Sequence, residues 1–380
     1  MKHRVWVEVD LGVLIDNYRK IAARVKPAKV LSVLKANAYG LGVGPYSKAL
    51  YDAGCRDFGV AEPFEALELK KAIGDKAQVQ ILSSVLPDEI GEMVKGGVIL
   101  PVVDLETAKM ISDAAVKAKK TARVHLKLDT GMGRLGILAD SDDRLDAAAQ
   151  VAAQVALLPR IELEGVFSHF PMAYDEKDPF TKHQIALFKR FLREAAKRKL
   201  AFKKVHIAAS DAINNFPQCA KEPFNMVRTG INLHGSFDPN GRRALKLKSV
   251  LTLKTRIAQV RDLPAGKTLG YGRTWCLNEN RTVATISAGY ADGLPLALTN
   301  RGKVIIAGEY CNVIGRISMD YTTVDVSHLK KRPQPGDEVI CFGESGRCSI
   351  TPDDWAALKG THAYDIICSL GDRVKRVYGN

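Results

Sequence analysis

Short apolar, β-rich runs alternate with amphipathic helical patterns through the first 235 residues of this 380-residue chain. Runs that are apolar at successive positions are typical of strands buried on both faces of a parallel sheet. Eight such runs can be counted, at residues 30–34, 58–61, 79–82, 99–103, 123–128, 163–168, 205–208 and 225–228. Helical patterns lie at 11–22, where Asp10 is placed as an N-cap, and at 63–73, 105–118 and 178–197. The count predicts an α/β fold with an N-terminal (β/α)₈ TIM-type barrel, and the periodicity leaves a doubly wound open sheet as the alternative.

The pattern changes after the turn sequence at residues 238–241. From there on β-rich runs follow one another without long helices between them, at 251–260, 282–287, 303–307, 312–317, 322–326 and 338–342. Gly- and Pro-containing turns separate them, which is typical of antiparallel strands. We therefore expect two domains, a barrel at residues 1–240 and a mainly antiparallel β domain at residues 241–380.

Charge and cysteine usage narrow the class of protein. Lys and Arg number 56 against 42 Asp and Glu, a net charge of +14, but the basic residues are dispersed and their densest runs lack interleaved aromatics. That distribution favours solvated surfaces over a nucleic-acid site. The seven cysteines are scattered, with no CxxC pair, so we expect reduced thiols in a cytoplasmic protein and no zinc or other metal site. No 18-residue apolar run and no secretory signal are visible, so we expect no membrane partner.

The first strand-like run leads directly into Lys35-Ala36-Asn37-Ala38-Tyr39-Gly40. Functional residues of a barrel collect at the carboxyl ends of its strands. A lysine there is expected to be partly buried, and desolvation favours its neutral, nucleophilic amine. A lysine that merely reaches from the rim into solvent is the alternative.

Other strand ends carry side chains of matching chemistry. A glycine-rich turn after residue 128 presents Arg134, whose planar guanidinium suits a bidentate clamp on a carboxylate. Gly230 precedes a possible helix start, where backbone N–H groups form a common phosphate cradle.

These blocks resemble the alanine racemases, which use pyridoxal phosphate (PLP) on this kind of barrel. The lysine segment resembles their cofactor-lysine signature, and the resemblance runs through nearly the whole chain. Further matching blocks lie at 124–136, 168–170, 206–210, 226–231, 269–273, 288–293, 315–320 and 360–365.

The resemblance implies a role for each matching position on the barrel. Lys35 would carry the PLP, and the cofactor's phosphate would be bound by Tyr39, Ser210, Gly230, Ile231 and Tyr364. Arg228 would face the pyridine nitrogen. Because an arginine does not readily give up its proton, that nitrogen stays unprotonated and the ring is a weaker electron sink, which favours racemisation over transamination or decarboxylation.

Racemisation requires two bases on opposite faces of the α-carbon. Lys35 would be one, and the resemblance implies that the other is Tyr271, which enters the site from the second subunit of a homodimer. A free phenol is a poor base at neutral pH, so Arg134 or an imidazole would have to stabilise the anion.

The remaining matching positions would support the site. Arg134 and the Met319 amide would bind the substrate carboxylate, and Lys127 would hold Arg134, either as a carbamate or as a plain lysine paired with an acid. His169 would orient the arginine–tyrosine pair. Tyr290 and Tyr364 would narrow the substrate entrance, and Asp320 lies in the same block as Met319.

Four positions depart from the usual pattern: Leu41, Ala209, His234 and Ser318. In the family a histidine, an asparagine, a tyrosine and a cysteine are common at these places. None of the four is a base or a phosphate contact, so they bear on the range of substrates more than on the reaction.

We therefore expect PLP-dependent interconversion of L- and D-alanine, supplying D-alanine for peptidoglycan. One alternative is a racemase of broader range that acts on serine or lysine. A second is a PLP decarboxylase on the same barrel, which places an acidic residue at the pyridine nitrogen. A third is a PLP carrier, but carriers are single barrels without the extension that bears Tyr271.

Overall fold

The computed structural model describes residues 3–379, and eight parallel strands in it form a closed barrel. The strands are Lys29–Val33, Asp57–Val60, Gln78–Ile81, Leu100–Val102, Ala122–Asp129, Ile161–Phe167, Lys204–His206 and Met226–Thr229. The first strand pairs with the last, and a bridge from Gln80 to Ile99 joins the third to the fourth. The predicted (β/α)₈ barrel is confirmed, with each strand within two residues of its predicted bounds.

Helices cover the outside of the barrel between the strands. They span Leu11–Val25, Val43–Asp52, Pro63–Ile73, Ile90–Lys95, Leu105–Ala118, Asp142–Ala156, Phe180–Lys197 and Ser210–Asn215. Lys35–Gly40, directly after the first barrel strand, is a left-handed turn. Short 3₁₀ turns at Pro217–Ala220 and Ile231–His234 and a two-residue strand at Ile137–Leu138 complete this part.

The first helix begins where its cap predicts. An Asp10 carboxylate oxygen accepts a hydrogen bond from the Val13 amide at 2.8 Å, which satisfies one of the free N–H groups of the first turn. The helix then buries Leu14, Ile21 and Val25, which recur on one face at helical spacing.

A second, mostly antiparallel sheet forms the β domain, as predicted. Its strands are Val5–Asp10, Leu251–Leu263, Arg281–Ile286, Lys303–Ile306, Glu309–Asn312, Thr322–Asp325, Glu338–Ser345, Cys348–Ile350 and Lys375–Gly379. A separate pair is formed by Thr268–Leu269 and Trp275–Cys276. Helices Pro352–Lys359 and Ala363–Cys368 and 3₁₀ turns at Tyr271–Arg273, Tyr290–Asp292 and Leu296–Leu298 complete it.

One strand of the β domain differs from the prediction. Residues 312–317 were expected to be a strand, but the strand is Glu309–Asn312, and Val313 adds only a single bridge to Val324. The reason is the turn that precedes it. Ala307 and Gly308 both have positive φ, so they form a two-residue hairpin turn and pairing resumes at once.

The chain enters the β domain before it enters the barrel. Strand Val5–Asp10 lies between Leu251–Leu263 and Lys375–Gly379 in the second sheet, although the expected division assigns residues 1–240 to the barrel. Val5, Val7 and Val9 are buried on one face of this strand, and Trp6 is buried on the other. The division near residue 240 stays a prediction.

Within residues 3–379 no helix combines the length and apolar character that crossing a bilayer needs.

Replacing Asp10 with Ala removes the cap of the first helix. We expect the free energy of unfolding to fall by about 1 kcal/mol, the usual effect of losing such a cap. Urea unfolding of D10A measures this loss of stability. D16A is the control, because Asp16 forms only an exposed ion pair with Lys20. Equal losses in both variants would contradict the role of the cap.

Candidate active site

Lys35 is the first residue of an unusual turn at the open end of the barrel, which we call the lysine turn (residues 35–42). Ala36, Asn37, Ala38 and Tyr39 follow one another with φ between 52° and 59°, a left-handed run. Each such residue costs roughly 1–2 kcal/mol, because its Cβ crowds the following carbonyl oxygen. Surrounding contacts must therefore hold the turn in place.

The predicted partial burial of Lys35 is not found, and its side chain is exposed. The last buried residue of this strand end is Leu34, whose amide bonds to the Gly59 carbonyl at 2.8 Å. Lys35 still lies near the other site residues. Burial is the main cause that lowers the pKa values of Lys127 and His169, and the charge of Lys35 adds a smaller lowering to both.

Three of the predicted phosphate-binding groups meet around Gly230. Its amide donates to the Ser210 hydroxyl at 3.2 Å, and a Cβ at Gly230 would lie only 2.1 Å from the Tyr39 hydroxyl. Any side chain at this position would therefore displace Tyr39. Hydroxyl and amide groups thus face one small space at the ends of three neighbouring strands.

Tyr364 and Ile231 border the same space. The Tyr364 ring lies 5.8 Å from the Tyr39 ring, centroid to centroid, and burial raises the pKa of both phenols. Ile231 follows Gly230 as the first residue of the 3₁₀ turn Ile231–His234. The structure thus brings together the five predicted phosphate contacts.

Arg228 is buried, and its guanidinium is held on several sides. Its Nη2 donates to the carbonyls of Ser168 and Ile207 at 2.7 and 3.0 Å, and Nη1 donates to His206 Nδ1 at 2.9 Å. Burial and the charge of Arg134 lower the pKa of Arg228 to about 9. The guanidinium therefore keeps its proton at neutral pH.

Behind Arg228 two histidines continue the hydrogen-bonded chain. Because a guanidinium only donates, His206 accepts at Nδ1 and carries its proton on Nε2, which lies 3.1 Å from His125 Nδ1. His125 then carries its proton on Nε2, which has no partner within residues 3–379. Burial and nearby cations lower both pKa values well below the usual range, so both rings are neutral.

Neither histidine was assigned a role from the sequence, nor was Phe167, which stacks on His206 at 5.1 Å. The available signal was a histidine within the strand Ala122–Asp129 and another at the end of the strand Lys204–His206. His169 was predicted as a site residue, and its Nδ1 lies 3.3 Å from Arg228 Nη2.

The turn that carries Arg134 is organised by one carboxylate. Asp129 accepts hydrogen bonds from the amides of Gly131, Gly133 and Arg134 at 2.9 to 3.0 Å. The Arg134 side chain itself is exposed at the mouth of the barrel.

Lys127 is buried beside this turn and is paired with carbonyls, not with an acid. Its Nζ donates to the Leu82 and Ser83 carbonyls at 2.6 and 3.3 Å. Burial, followed by the charges of Arg134 and Arg228, lowers the pKa of Lys127 to about 7. A large fraction of this amine is therefore neutral at physiological pH.

The remaining predicted residues form a second group, on the β domain. Tyr271, Tyr290 and Met319 are 72%, 44% and 51% exposed. Their loops pack together: the amides of Tyr290 and Ala291 donate to the carbonyls of Ser318 and Met319 at 3.0 and 3.1 Å. The structure gives the Tyr271 hydroxyl no hydrogen bond to the described barrel residues.

One arginine clamps two of these loops. Arg373 forms a bidentate pair with buried Asp292, at 2.8 and 2.9 Å, and a further bond to Asp320 at 2.7 Å. Asp292 in turn accepts from the Gly289 amide at 3.0 Å. Asp320 therefore holds the loop that presents Met319.

The four departures from the family pattern lie around the site. Leu41 and His234 are fully buried, and His234 Nδ1 lies 2.7 Å from the Tyr46 hydroxyl behind Tyr39. Ala209 directly precedes the helix Ser210–Asn215, and the Ser318 hydroxyl bonds back to Tyr321. In the described part of the chain no group of three His, Cys, Asp or Glu side chains could hold a metal ion.

Replacing Arg134 with Met should move the titration of Lys127 to higher pH, because a neighbouring cation disfavours the protonated amine. NMR titration of protein with ¹³C-labelled lysine side chains follows it directly. Arg144→Met serves as the control, since Arg144 pairs with Asp140 on the surface. An unchanged Lys127 midpoint in R134M would show that Arg134 does not act on this amine.

Comparison with known proteins agrees with this arrangement. The family model for the alanine racemase N-terminal domain matches residues 9–238, and the model for the C-terminal domain matches residues 250–378. An alanine racemase of Clostridium novyi (strain NT) is 34% identical over 376 residues, covering 98% of this chain and 95% of the relative. Alanine racemase 2 of Caldanaerobacter subterraneus subsp. tengcongensis is 36% identical over 375 residues, covering 98% of this chain and 94% of the relative.

Solved structures match over the same extent. Alanine racemase from Clostridium difficile 630 has a TM-score of 0.91 at 30% identity, covering 100% of this chain and 96% of that one. Alanine racemase from Bartonella henselae, solved with covalently bound pyridoxal phosphate, has a TM-score of 0.88 at 31% identity and covers 100% of both chains. Since both domain models and full-length relatives above 30% identity match, the chain belongs to the alanine racemase family of isomerases that act on amino acids.

Proposed function

We propose that this enzyme interconverts L- and D-alanine with PLP carried by Lys35, using Lys35 and Tyr271 as its two bases. The observation that carries the proposal is the grouping at the barrel mouth. An exposed lysine, a cradle of hydroxyl and amide donors and a buried guanidinium lie at neighbouring strand ends.

The residues of this chain fit PLP. A Cβ at Gly230 would collide with the Tyr39 hydroxyl, so glycine at this position lets the Ser210 and Tyr39 hydroxyls lie together beside a backbone amide, a set of donors that suits a phosphate. Arg228 comes two residues before Gly230 on the same strand end. A guanidinium, not a carboxylate, is thus available for the ring nitrogen, which supports racemisation over decarboxylation.

When bound, PLP would withdraw electrons from the α-carbon of the substrate and make its proton easier to remove. Lys35 would take or return that proton on one face, and Tyr271 would do so on the other. Arg134 would bind the substrate carboxylate with its exposed guanidinium. Arg228 would hold its own proton throughout, supported by His206 behind it.

Tyr271 would reach this site from a second copy of the chain. Tyr271, Tyr290 and Met319 are exposed on adjoining loops of the β domain, and within residues 3–379 they form no hydrogen bonds to the barrel of their own chain. A homodimer with shared sites would place these side chains over the partner's barrel mouth, where the Met319 amide would help to bind the carboxylate.

We further propose that Lys127 takes up carbon dioxide as a carbamate. Its neutral amine is the form that reacts, and its lowered pKa of about 7 makes that form available. Attack of the neutral amine on carbon dioxide would form the N–C bond, release one proton to solvent and leave an anion close to Arg134 and Arg228, which offsets the positive charge of these two guanidinium groups.

The reaction would supply D-alanine for peptidoglycan. A cytoplasmic location stays a prediction, and the seven free cysteines support it.

Replacing Lys35 with Ala should abolish both racemisation and the visible absorbance of lysine-bound cofactor. Circular dichroism of L-alanine incubated with the PLP-loaded protein measures the first, and absorbance spectroscopy the second. Lys109→Ala, which removes an exposed lysine paired with Glu106, should change neither. An active K35A variant would refute the proposed function.

Replacing Tyr271 with Phe should reduce racemisation by about 10²–10⁴-fold, the usual contribution of a general acid or base, while PLP remains bound. Tyr310→Phe is the matched control, because Tyr310 is also exposed on the β domain but bonds only to Ser349.

Mixing the two inactive variants tests whether sites are shared. In a dimer of one K35A and one Y271F subunit, one site lacks both bases and the other keeps both. Random reassortment should therefore restore about a quarter of wild-type activity. No restoration, in a mixture that native mass spectrometry shows to contain heterodimers, would mean that Tyr271 does not act across the interface.

A further inference from the structure

The C-terminal strand Lys375–Gly379 lies against the lysine turn, although none of its residues has a part in the proposed chemistry. Arg376 and Tyr378 are two residues apart, so their side chains project from the same face of the strand. Arg376 Nε donates to the Gly40 carbonyl at 2.8 Å, and the Tyr378 hydroxyl donates to the Leu41 carbonyl at 2.8 Å. Two successive carbonyls of the turn are thus held by one strand.

The rest of the Arg376 guanidinium binds the segment that leads into this strand. Nη1 donates to the carbonyls of Gly371 and Val374 at 2.8 and 2.6 Å, and Nη2 donates to the Leu370 carbonyl at 2.9 Å. One planar group therefore joins the lysine turn to residues 370–374. Only an arginine has enough donors, in a fixed fork, to make these four bonds at once.

The lysine turn and the C-terminal strand are also closely packed. A Cβ at Gly42 would lie 2.0 Å from the Tyr378 hydroxyl, and Gly42 has a φ of +96°. Any side chain at position 42 would therefore collide with Tyr378. The strand is itself fixed by five parallel pairs with Val5–Asp10, which leads directly into the first barrel helix.

The lysine turn needs such support. Its internal bonds are few: the Leu41 amide donates to Ala38 at 3.2 Å and the Gly42 amide to Asn37 at 2.9 Å. On the barrel side the Ala36 amide bonds to the Glu65 carboxylate. Four consecutive left-handed residues would relax to ordinary conformations if contacts on either side were lost.

We propose that Arg376, assisted by Tyr378, is a positioning residue that holds the lysine turn in its left-handed form and so keeps Lys35 at the barrel mouth. This inference rests on the proposed function of Lys35. The C-terminal strand of the β domain then acts on the barrel's reactive amine through the backbone of residues 40 and 41.

Hydrogen–deuterium exchange of full-length protein incubated with PLP tests the proposal. In Arg376→Lys the amides of Leu41 and Gly42 should exchange about tenfold faster, the factor that corresponds to losing one or two hydrogen bonds of ordinary strength. Strands Ala122–Asp129 and Leu251–Leu263 should exchange as in the wild type. Tyr378→Phe, which removes one hydroxyl and retains the ring, should produce a smaller increase in the same segment.

Arg332→Lys is the matched control, because Arg332 lies on the β domain and bonds the exposed Asp262 carboxylate. It should leave exchange of the lysine turn unchanged. In R376K the dissociation constant for PLP, from absorbance titration, should rise by about tenfold, whereas R332K should not alter it.

The outcomes separate this inference from the proposed function. Unchanged exchange at Leu41 and Gly42 in R376K, or an equal rise throughout the chain, would overturn the positioning role. Retention of PLP absorbance and activity by K35A would instead refute the function of Lys35, and the exchange result would still report how the turn is held.

Discussion

Pairing of the first barrel strand with the last is the contact on which the rest of the site depends. Lys29–Val33 and Met226–Thr229 are about 200 residues apart in the chain, and their parallel register places their carboxyl ends side by side. The lysine turn follows one of these strands, and Gly230 follows the other. Without this closure Tyr39 would not meet Gly230, and Lys35 and Arg228 would belong to opposite edges of an open sheet.

The closed barrel also concentrates positive charge at its mouth. Burial lowers the pKa values of Lys127, His169 and Arg228, and the neighbouring positive charges lower them further. Asp129 is the carboxylate that opposes Lys127, but it is occupied by backbone amides of the arginine turn. Bound anions would stabilise a site of this kind. The cofactor phosphate, the substrate carboxylate and a carbamate are three such anions.

The β domain contributes in two different ways. Its exposed loops would offer Tyr271, Tyr290 and Met319 to a partner chain. Its C-terminal strand donates hydrogen bonds to the lysine turn of its own chain. Arg373 and Arg376 lie three residues apart in that C-terminal segment, and one clamps the loop of Met319 while the other clamps the turn of Lys35. The same stretch of backbone therefore anchors the lysine turn of the chain's own site and the loop that would serve the partner's site.

The amino-acid sequence by itself determined the eight strand–helix repeats, the mainly antiparallel second domain and the candidate residues at the strand ends, because local hydrophobic periodicity and motifs that resemble a known family encode them. Periodicity predicted a closed barrel but left an open sheet as the alternative, and the pairing of distant strands decided between them. It did not determine the strand Glu309–Asn312, whose start depends on the hairpin turn at Ala307 and Gly308, nor the crossing of Val5–Asp10 into the second sheet. The exposure of Lys35, the neutral tautomers of His125 and His206 and the lowered pKa of Lys127 come from groups that are distant in the chain. Only the tertiary structure decided these properties, because hydrogen bonding, burial and electrostatic interaction depend on neighbours in space, and the sequence order does not specify them.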